Sequence, residues 1–299
     1  MRKIGFIGLG NIGGGICHNL ILAGNQLTVF DIDNKAMQRF HGRACLANNV
    51  LDVLGKSDII FFSLPNSNIV ESVMEQFFAA GVHGKTIIDM STSFPLSTKK
   101  LNQRAKEQGC LFLDAPLMAG PSEAEAGEAE IVIGGDRTEV EKLDDLFRSF
   151  CKTYSYAGES GNGHLMKLAL NFCGLTEALI YAQIFPVMAK MGFDPKEFYK
   201  ILNVEGRTTW VLNFYGKKFV ERDYHLDFAL ALGTKDLAYM KRLYEELNIP
   251  AFLLDGALDL CRMTLAGQKQ GETLDFSAPA ETLYEMLGIP KSQSENADE

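Results

Sequence analysis

Lys167 and Asn171 stand four residues apart in the run G-N-G-H-L-M-K-L-A-L-N, Gly161 to Asn171. Side chains at i and i+4 share one face of a helix, so an amine and a carboxamide project together from an otherwise apolar segment. Burial disfavours the charged form of a lysine and lowers its pKa, which makes the amine a proton donor and acceptor near neutral pH. A lysine taken alone is more often a surface side chain whose stem covers apolar neighbours. The spacing from Gly161, Gly163 and Asn171 favours instead a proton carrier with a hydrogen-bonding partner beside it. His164, one turn earlier, reads as a partly exposed residue at the start of the helix. Trp210, the single tryptophan, reads as a side chain that lines a cleft or simply packs.

The N-terminal part of the chain offers a different chemistry. Residues 3–7 form a short apolar strand pattern ended by Gly8-Leu9-Gly10-Asn11-Ile12-Gly13, and helical spacing (Ile12, Ile16, Leu20) then runs to Gly24. A second strand, residues 27–30, delivers Asp31. A G-x-G-x-x-G between a strand and a helix, with an acid at the end of the next strand, is a dinucleotide fingerprint. Gly8, Gly10 and Gly13 permit a tight turn, close approach of a diphosphate and close helix packing. The helix start at Asn11 and Ile12 supplies N–H groups for the phosphates. Asp31 can accept from both ribose hydroxyls and repels an added phosphate, which predicts NAD in preference to NADP. Ile32 follows it, Arg39 and Arg43 come later at a distance, and Asp33 is the alternative contact.

Strand and helix patterns continue to alternate, as a mostly parallel sheet requires. Residues 58–63 form a buried strand that ends in Leu64-Pro65-Asn66, followed by a helix over 68–78. Residues 85–90 form another strand, ending in Ser91-Thr92 before Pro95 and a helix over 97–108. Ligands bind beyond the carboxyl ends of such strands, so these loops should edge the cofactor and substrate; for Ser91 and Thr92, turn bonding is an equal reading. Residues 111–113 run into Asp114-Ala115-Pro116-Leu117-Met118-Ala119-Gly120-Pro121, a loop whose N–H groups could face an anion. The acidic segment with Glu123, Glu125, Glu128 and Glu130 reads as a solvated face. A strand at 131–133, a helix to about Phe150 and a strand at 153–156 complete this half.

From residue 164 to 191 the chain is apolar on nearly every face, which predicts a buried helix about 40 Å long with a kink at Pro186. Lys167, Asn171, Glu177 and Gln183 argue against a membrane span, and no apolar run approaches the roughly 20 residues one needs. Asp194-Pro195 starts a new helix, and helical patterns follow at 209–220, 228–247, 251–267 and 278–287. The expected organisation is a doubly wound α/β domain over 1–162, an interdomain helix and all-α domain over 163–290, and a disordered tail over 291–299.

Composition sets outer limits. The chain has 299 residues, a 46% hydrophobic fraction and a net charge of -9, which suits two globular domains and disfavours a general affinity for nucleic acid or acidic membranes. Its six cysteines show no metal-like pairing with the five histidines and several sit in apolar runs, so a reduced, cytoplasmic protein with no metal is expected.

These motifs together resemble the β-hydroxyacid dehydrogenase family, which includes 3-hydroxyisobutyrate dehydrogenase and tartronate semialdehyde reductase. The resemblance rests on G-F-I-G-L-G-N-I-G at the N-terminus, S-L-P-N-S-N-I-V-E at 63–71, D-M-S-T-S-F-P at 89–95 and D-A-P-L-M-A-G at 114–120. It continues through G-G-D at 134–136, the run at 161–171 and K-D-L at 235–237. It implies a Rossmann domain, a long interdomain helix and an all-helical domain that forms dimers or tetramers. It further implies a catalytic Lys167, a substrate-orienting Asn171, a substrate loop at Met118, Ala119 and Gly120 with Ser91 nearby, and cofactor contacts from Thr92 and Lys235.

Where the family carries D-A-P-V-S-G-G, this chain has Leu117, Met118 and Ala119, so a thioether replaces a serine hydroxyl. Leu170 also replaces one of two asparagines usual after the lysine. A non-standard substrate, bulkier or less polar beside the reacting carbon, is expected. The alternatives are an imine reductase, a decarboxylating relative of 6-phosphogluconate dehydrogenase, for which the second half is short and lacks a basic cluster, and a retired enzyme that serves as a scaffold.

Overall fold

The computed structural model describes residues 2–118 and 120–291; Ala119 of the expected substrate loop and residues 292–299 of the expected tail lie outside the described residues. The elements of the first half run β1 (Lys3–Ile7), α1 (Asn11–Leu22), β2 (Gln26–Phe30), α2 (Asn34–Gln38), β3 (Cys45–Leu46), α3 (Val50–Lys56), β4 (Ile59–Phe62) and α4 (Ser67–Ala80). Then come β5 (Thr86–Asp89), α5 (Pro95–Glu107), β6 (Leu111–Asp114), α6 (Pro121–Ala126), β7 (Glu130–Gly134), α7 (Arg137–Lys142), α8 (Asp144–Arg148) and β8 (Thr153–Gly158). The helical half comprises α9 (Asn162–Lys190), α10 (Pro195–Leu202), α11 (Trp210–Glu221), α12 (Leu230–Glu246), α13 (Phe252–Ala266) and α14 (Pro279–Met286). The chain divides into two compact units between Leu168 and Ala169, a boundary that falls inside α9.

The strands form one sheet in the order β3-β2-β1-β4-β5-β6-β7-β8. Pairing is parallel from β3 to β6, antiparallel between β6 and β7, and parallel again between β7 and β8. The order reverses between β1 and β4, which makes their carboxyl ends the switch point where such sheets bind ligands. Both faces are buried, as a sheet wound with helices on two sides requires. Phe61 points into a core with Phe6, Ile16, Leu20 and Phe147. Its neighbours Ile60 and Phe62 point the other way, into a core with Val53, Met74, Phe77 and Leu101, as the two-residue strand period demands.

Several details differ from the sequence reading. The four glutamates of the acidic segment are exposed as expected, but residues 121–126 form an unexpected helix, α6, whose Ala124 is fully buried. Gly15 explains the seat, because a Cβ there would lie 2.8 Å from the Glu125 backbone nitrogen and 2.9 Å from the Ala124 carbonyl carbon. Asn19 Nδ2 adds a 2.9 Å bond to the Ala124 carbonyl. The helix expected up to Phe150 is two short ones, α7 and α8.

In the helical unit, α9 contributes Leu175, Leu179 and Phe185 to a core with Leu212, Phe219, Leu237, Leu258 and Phe276. The helix runs through Pro186 to Lys190. It is not buried all round: Leu165, Met166, Leu170, Ile180 and Val187 are exposed. By length and mean hydropathy α9 would suffice to cross a bilayer, contrary to the expectation from its apolar runs. Its Glu177 nevertheless accepts from Thr209 Oγ1 at 2.5 Å and from Tyr181 at 3.1 Å, which ties α9 into the helical core. Trp210 is 72% exposed and stacks on Phe214.

Cys17, Cys110, Cys151 and Cys261 are buried thiols, and Cys45 and Cys173 are exposed. Burial pushes the Cys110 thiol up to about 12 and those of Cys151 and Cys261 to about 11. Thiolate is the reactive form, so iodoacetamide at pH 8 should modify Cys45 and Cys173 and spare the other four until the protein is denatured, as read by peptide mass spectrometry. Gly15→Ala should lower stability by about 1–3 kcal/mol, because the new methyl meets the Ala124–Glu125 peptide of α6; a thermal melt within 1 °C of the parent, on the order of 0.3–0.5 kcal/mol for a domain this size, would contradict that packing.

Candidate active site

The turn after β1 divides its three glycines by task. Gly8 has φ +96°, and a Cβ there would lie 2.1 Å from the Ser63 carbonyl at the end of β4. Gly13 is as tightly held, its Cβ position lying 2.1 Å from the Gly8 carbonyl. A Cβ on Gly10 would meet nothing within 4 Å. Gly10 is also the N-cap of α1, with no side chain bonded to the first turn. Tight first and third glycines around an open second one fit a diphosphate cradled on a helix N-terminus. Asn11 is exposed and Ile12 half-buried at its edge.

Asp31 reaches this turn directly. One carboxylate oxygen accepts from the Leu9 N–H at 2.6 Å and the other from the Asp33 N–H at 2.8 Å. Asp33 is committed elsewhere, accepting from the Lys35 N–H at 2.9 Å as the cap of α2. Arg39, distant in sequence, is brought back: its guanidinium donates to the Leu9 carbonyl. Arg43 lies 2.5 Å from His18 Nδ1.

The loops beyond β4 and β5 are stitched together. Leu64 donates its N–H to Ser91 Oγ at 2.9 Å, and Phe94 donates to Ser67 Oγ at 2.5 Å. Asp89, fully buried, accepts from the Ser91 N–H at 3.0 Å and from Ser93 Oγ at 2.9 Å. Ser91 is thus bonded to Asp89 within its own turn and to Leu64 of the neighbouring loop. Pro65 is exposed and Thr92 half-buried beside them.

In the loop expected to face substrate, two of the N–H groups that could face an anion have partners within the chain. Met118 donates to the Glu130 carbonyl at 2.8 Å, and Gly120 donates to Glu123 Oε2 at 3.1 Å. Glu123 thus closes the start of α6, a use the sequence reading did not give it.

Lys167 is half-buried on the second turn of α9. His164, one turn before it, is fully buried and not partly exposed as expected; Thr98, Asp89 and Asp114 surround it. In the helical unit, Asn171 donates from Nδ2 to Asp236 Oδ2 at 2.7 Å. A carboxylate can only accept, so this bond fixes the amide flip and leaves Asn171 Oδ1 to be presented away from Asp236. Asp236 is 3% exposed, and its other oxygen is 3.0 Å from Lys235 Nζ, an ion pair not aligned as a hydrogen bond. Lys235, expected near a cofactor, and Asn171 thus meet through Asp236. Asp236, the acid of K-D-L, is a contact that the sequence reading did not give.

Residues 3–158 match the NAD binding domain of 6-phosphogluconate dehydrogenase, and residues 161–283 match the NAD-binding domain of NADP-dependent 3-hydroxyisobutyrate dehydrogenase. The chain is 33% identical to the 2-hydroxy-3-oxopropionate reductase of Escherichia coli K12 over 79% of its own length and 82% of the relative's. It is also 33% identical to the 2-(hydroxymethyl)glutarate dehydrogenase of Eubacterium barkeri, over 83% and 84% of the two chains. A structure of Mycobacterium tuberculosis 3-hydroxyisobutyrate dehydrogenase with L-serine shares the fold, with a TM-score of 0.84 over 95% of this chain and 99% of that one at 23% identity. The chain belongs to the β-hydroxyacid dehydrogenase family and is an oxidoreductase with a nicotinamide-dinucleotide-binding domain.

Gly10→Ala should leave thermal stability unchanged, since its methyl meets no protein atom, yet weaken NADH binding on the order of tenfold or more by filling the cradle. Fluorescence titration beside a thermal melt reads both. Asp236→Asn should free the Asn171 amide to flip and lower kcat/KM about tenfold, the scale of one hydrogen bond to a charged group.

Proposed function

We propose that this chain interconverts a β-hydroxyacid-type alcohol and its semialdehyde or related carbonyl, with NAD(H) preferred and with a less polar group beside the reacting carbon than usual substrates carry. The observation that carries the reading is the Asn171 amide, four residues after Lys167 in the sequence of α9, whose orientation Asp236 fixes. A bound dinucleotide supplies or accepts the hydride. In reduction Lys167 gives a proton to the carbonyl oxygen, and in oxidation it takes the hydroxyl proton back. Asn171 Oδ1 accepts from that hydroxyl and so orients it.

Gly8, Gly10, Asn11, Ile12 and Gly13 would hold the diphosphate, with Leu64, Pro65 and Thr92 along its edge, and Lys235 is a cofactor contact by its match to the family's motif. The preference for NAD is supported by Asp31, whose carboxylate stands at the glycine turn while Asp33 serves as a cap. Arg39 already serves the Leu9 carbonyl. The substrate preference is supported by the loop. Met118 offers no hydroxyl, and the Met118 and Gly120 N–H groups already have acceptors in the Glu130 carbonyl and the Glu123 carboxylate. A substrate carboxylate here would compete with Glu123. The exposed apolar positions of α9, with Phe252 and Leu253 on α13, suit a homo-oligomer, and buried thiols suit a reducing cytoplasm.

Initial rates of NADH and NADPH oxidation across β-semialdehydes, branched aldehydes and a cyclic imine test this, with Lys167→Ala in parallel. The expected result is turnover of an aldehyde bearing an apolar substituent, at least tenfold better with NADH, falling 10²-fold or more in Lys167→Ala, the usual scale for loss of a proton carrier. Asp31→Gly should narrow the NADH advantage. Undiminished turnover by Lys167→Ala, or preference for the imine, would contradict the assignment.

A further inference from the structure

We propose that Asp114 is the positioning residue for Lys167: it sets the first turn of the lysine helix, a task distinct from contact with substrate. The proposal rests on Lys167 as the proton carrier. Asp114 ends β6 and is fully buried. Its Oδ1 accepts the Gly161 N–H at 2.7 Å and its Oδ2 accepts the His164 N–H at 3.0 Å. One carboxylate thus satisfies two of the N–H groups that a helix start leaves without partners, and its charge suits the positive end of the helix dipole.

The backbone closes around this carboxylate so tightly that only glycine fits. A Cβ on Gly134 would lie 2.7 and 2.8 Å from its two oxygens. A Cβ on Gly163 would lie 2.8 Å from Oδ2 and 2.7 Å from the Val132 carbonyl. Gly161 has φ +89°, and a Cβ there would lie 2.9 Å from the Pro95 carbonyl. The same turn is braced from its other side. His164 Nδ1 is 2.8 Å from Thr98 Oγ1 on α5, and its Nε2 is 3.8 Å from Asp89 Oδ2 at the end of β5.

Strands β5 and β6 and helix α5 therefore grip residues 161–164, and Lys167 follows at i+3 from His164. A helix transmits displacement of its first turn to the next. Misplacement of a reacting group by about 1 Å costs on the order of 10²-fold in rate. Asp114→Asn keeps the shape but sets an amide NH₂ against one of the two N–H donors, so one grip is lost. Thr98→Val removes only the hydroxyl opposite His164.

The test compares parent, Asp114→Asn and Thr98→Val by kcat, KM, NADH affinity and the site-resolved rate of lysine trinitrophenylation. The expected result for Asp114→Asn is a kcat lowered about 10- to 100-fold, with KM and the NADH dissociation constant within about twofold. Lys167 labelling should rise threefold or more relative to the exposed Lys196. Thr98→Val should show the same pattern at smaller amplitude, and it carries the test if Asp114→Asn does not fold. Unchanged kcat and unchanged Lys167 labelling, with only a lower melting temperature, would reduce Asp114 to a stability residue and overturn the proposal. If the parent turns over no carbonyl substrate, the functional reading fails, while the labelling ratio still decides whether Asp114 places Lys167.

Discussion

A carboxylate sealed from solvent must be met by donors, and at Asp114 the donors are two backbone N–H groups of the chain that begins α9. An unmet buried charge would cost several kcal/mol, so this pair of bonds constrains everything near it. The strand that carries Asp114 must end where the helix starts. The backbone at 134, 161 and 163 must come too close for any side chain. The first turn of the helix can then sit in only one way, and Lys167 inherits its position from that turn.

A second constraint of the same kind governs the cofactor side. Gly8 and Gly13 are compressed against backbone in the tight turn between β1 and α1, while Gly10 stands open. Asp31 then ties β2 to the turn through Leu9, while Ser67, Asp89 and Ser91 tie the loops beyond β4 and β5 to each other. Polar residues on these loops mostly hold one another in place. That rigidity is what a hydride-transfer enzyme needs, because its catalysis comes from placement of the reacting groups more than from covalent chemistry.

Much of this was legible in the sequence because it repeats at short range. Strand runs, helical spacing and the glycine fingerprint with Asp31 gave the doubly wound sheet, and proline and cap residues gave most of the later helices. What escaped depends on partners far along the chain. α6 hides among glutamates because its one buried residue, Ala124, needs Gly15 on α1 to make room. His164 looked like an exposed helix start because Thr98, 66 residues away, and Asp114, 50 residues away, are what bury it. Asp236 lay in a motif already noted, yet its role appears only when Asn171, 65 residues away, donates to it. α9 misled in the other direction: apolar residues all round suggested complete burial, but several remain exposed on this chain.

The central claim is that hydride passes between the dinucleotide and a carbonyl carbon while Lys167 handles the proton. The most direct measurement is the fate of deuterium from stereospecifically labelled [4-²H]NADH during turnover in ordinary water. One stereoisomer of the label should deliver a single deuterium to the new carbinol carbon, seen as a one-mass-unit gain and a C–²H resonance, with the hydroxyl proton drawn from solvent. Product without deuterium from either isomer, or NADH consumed with no alcohol formed, would contradict it.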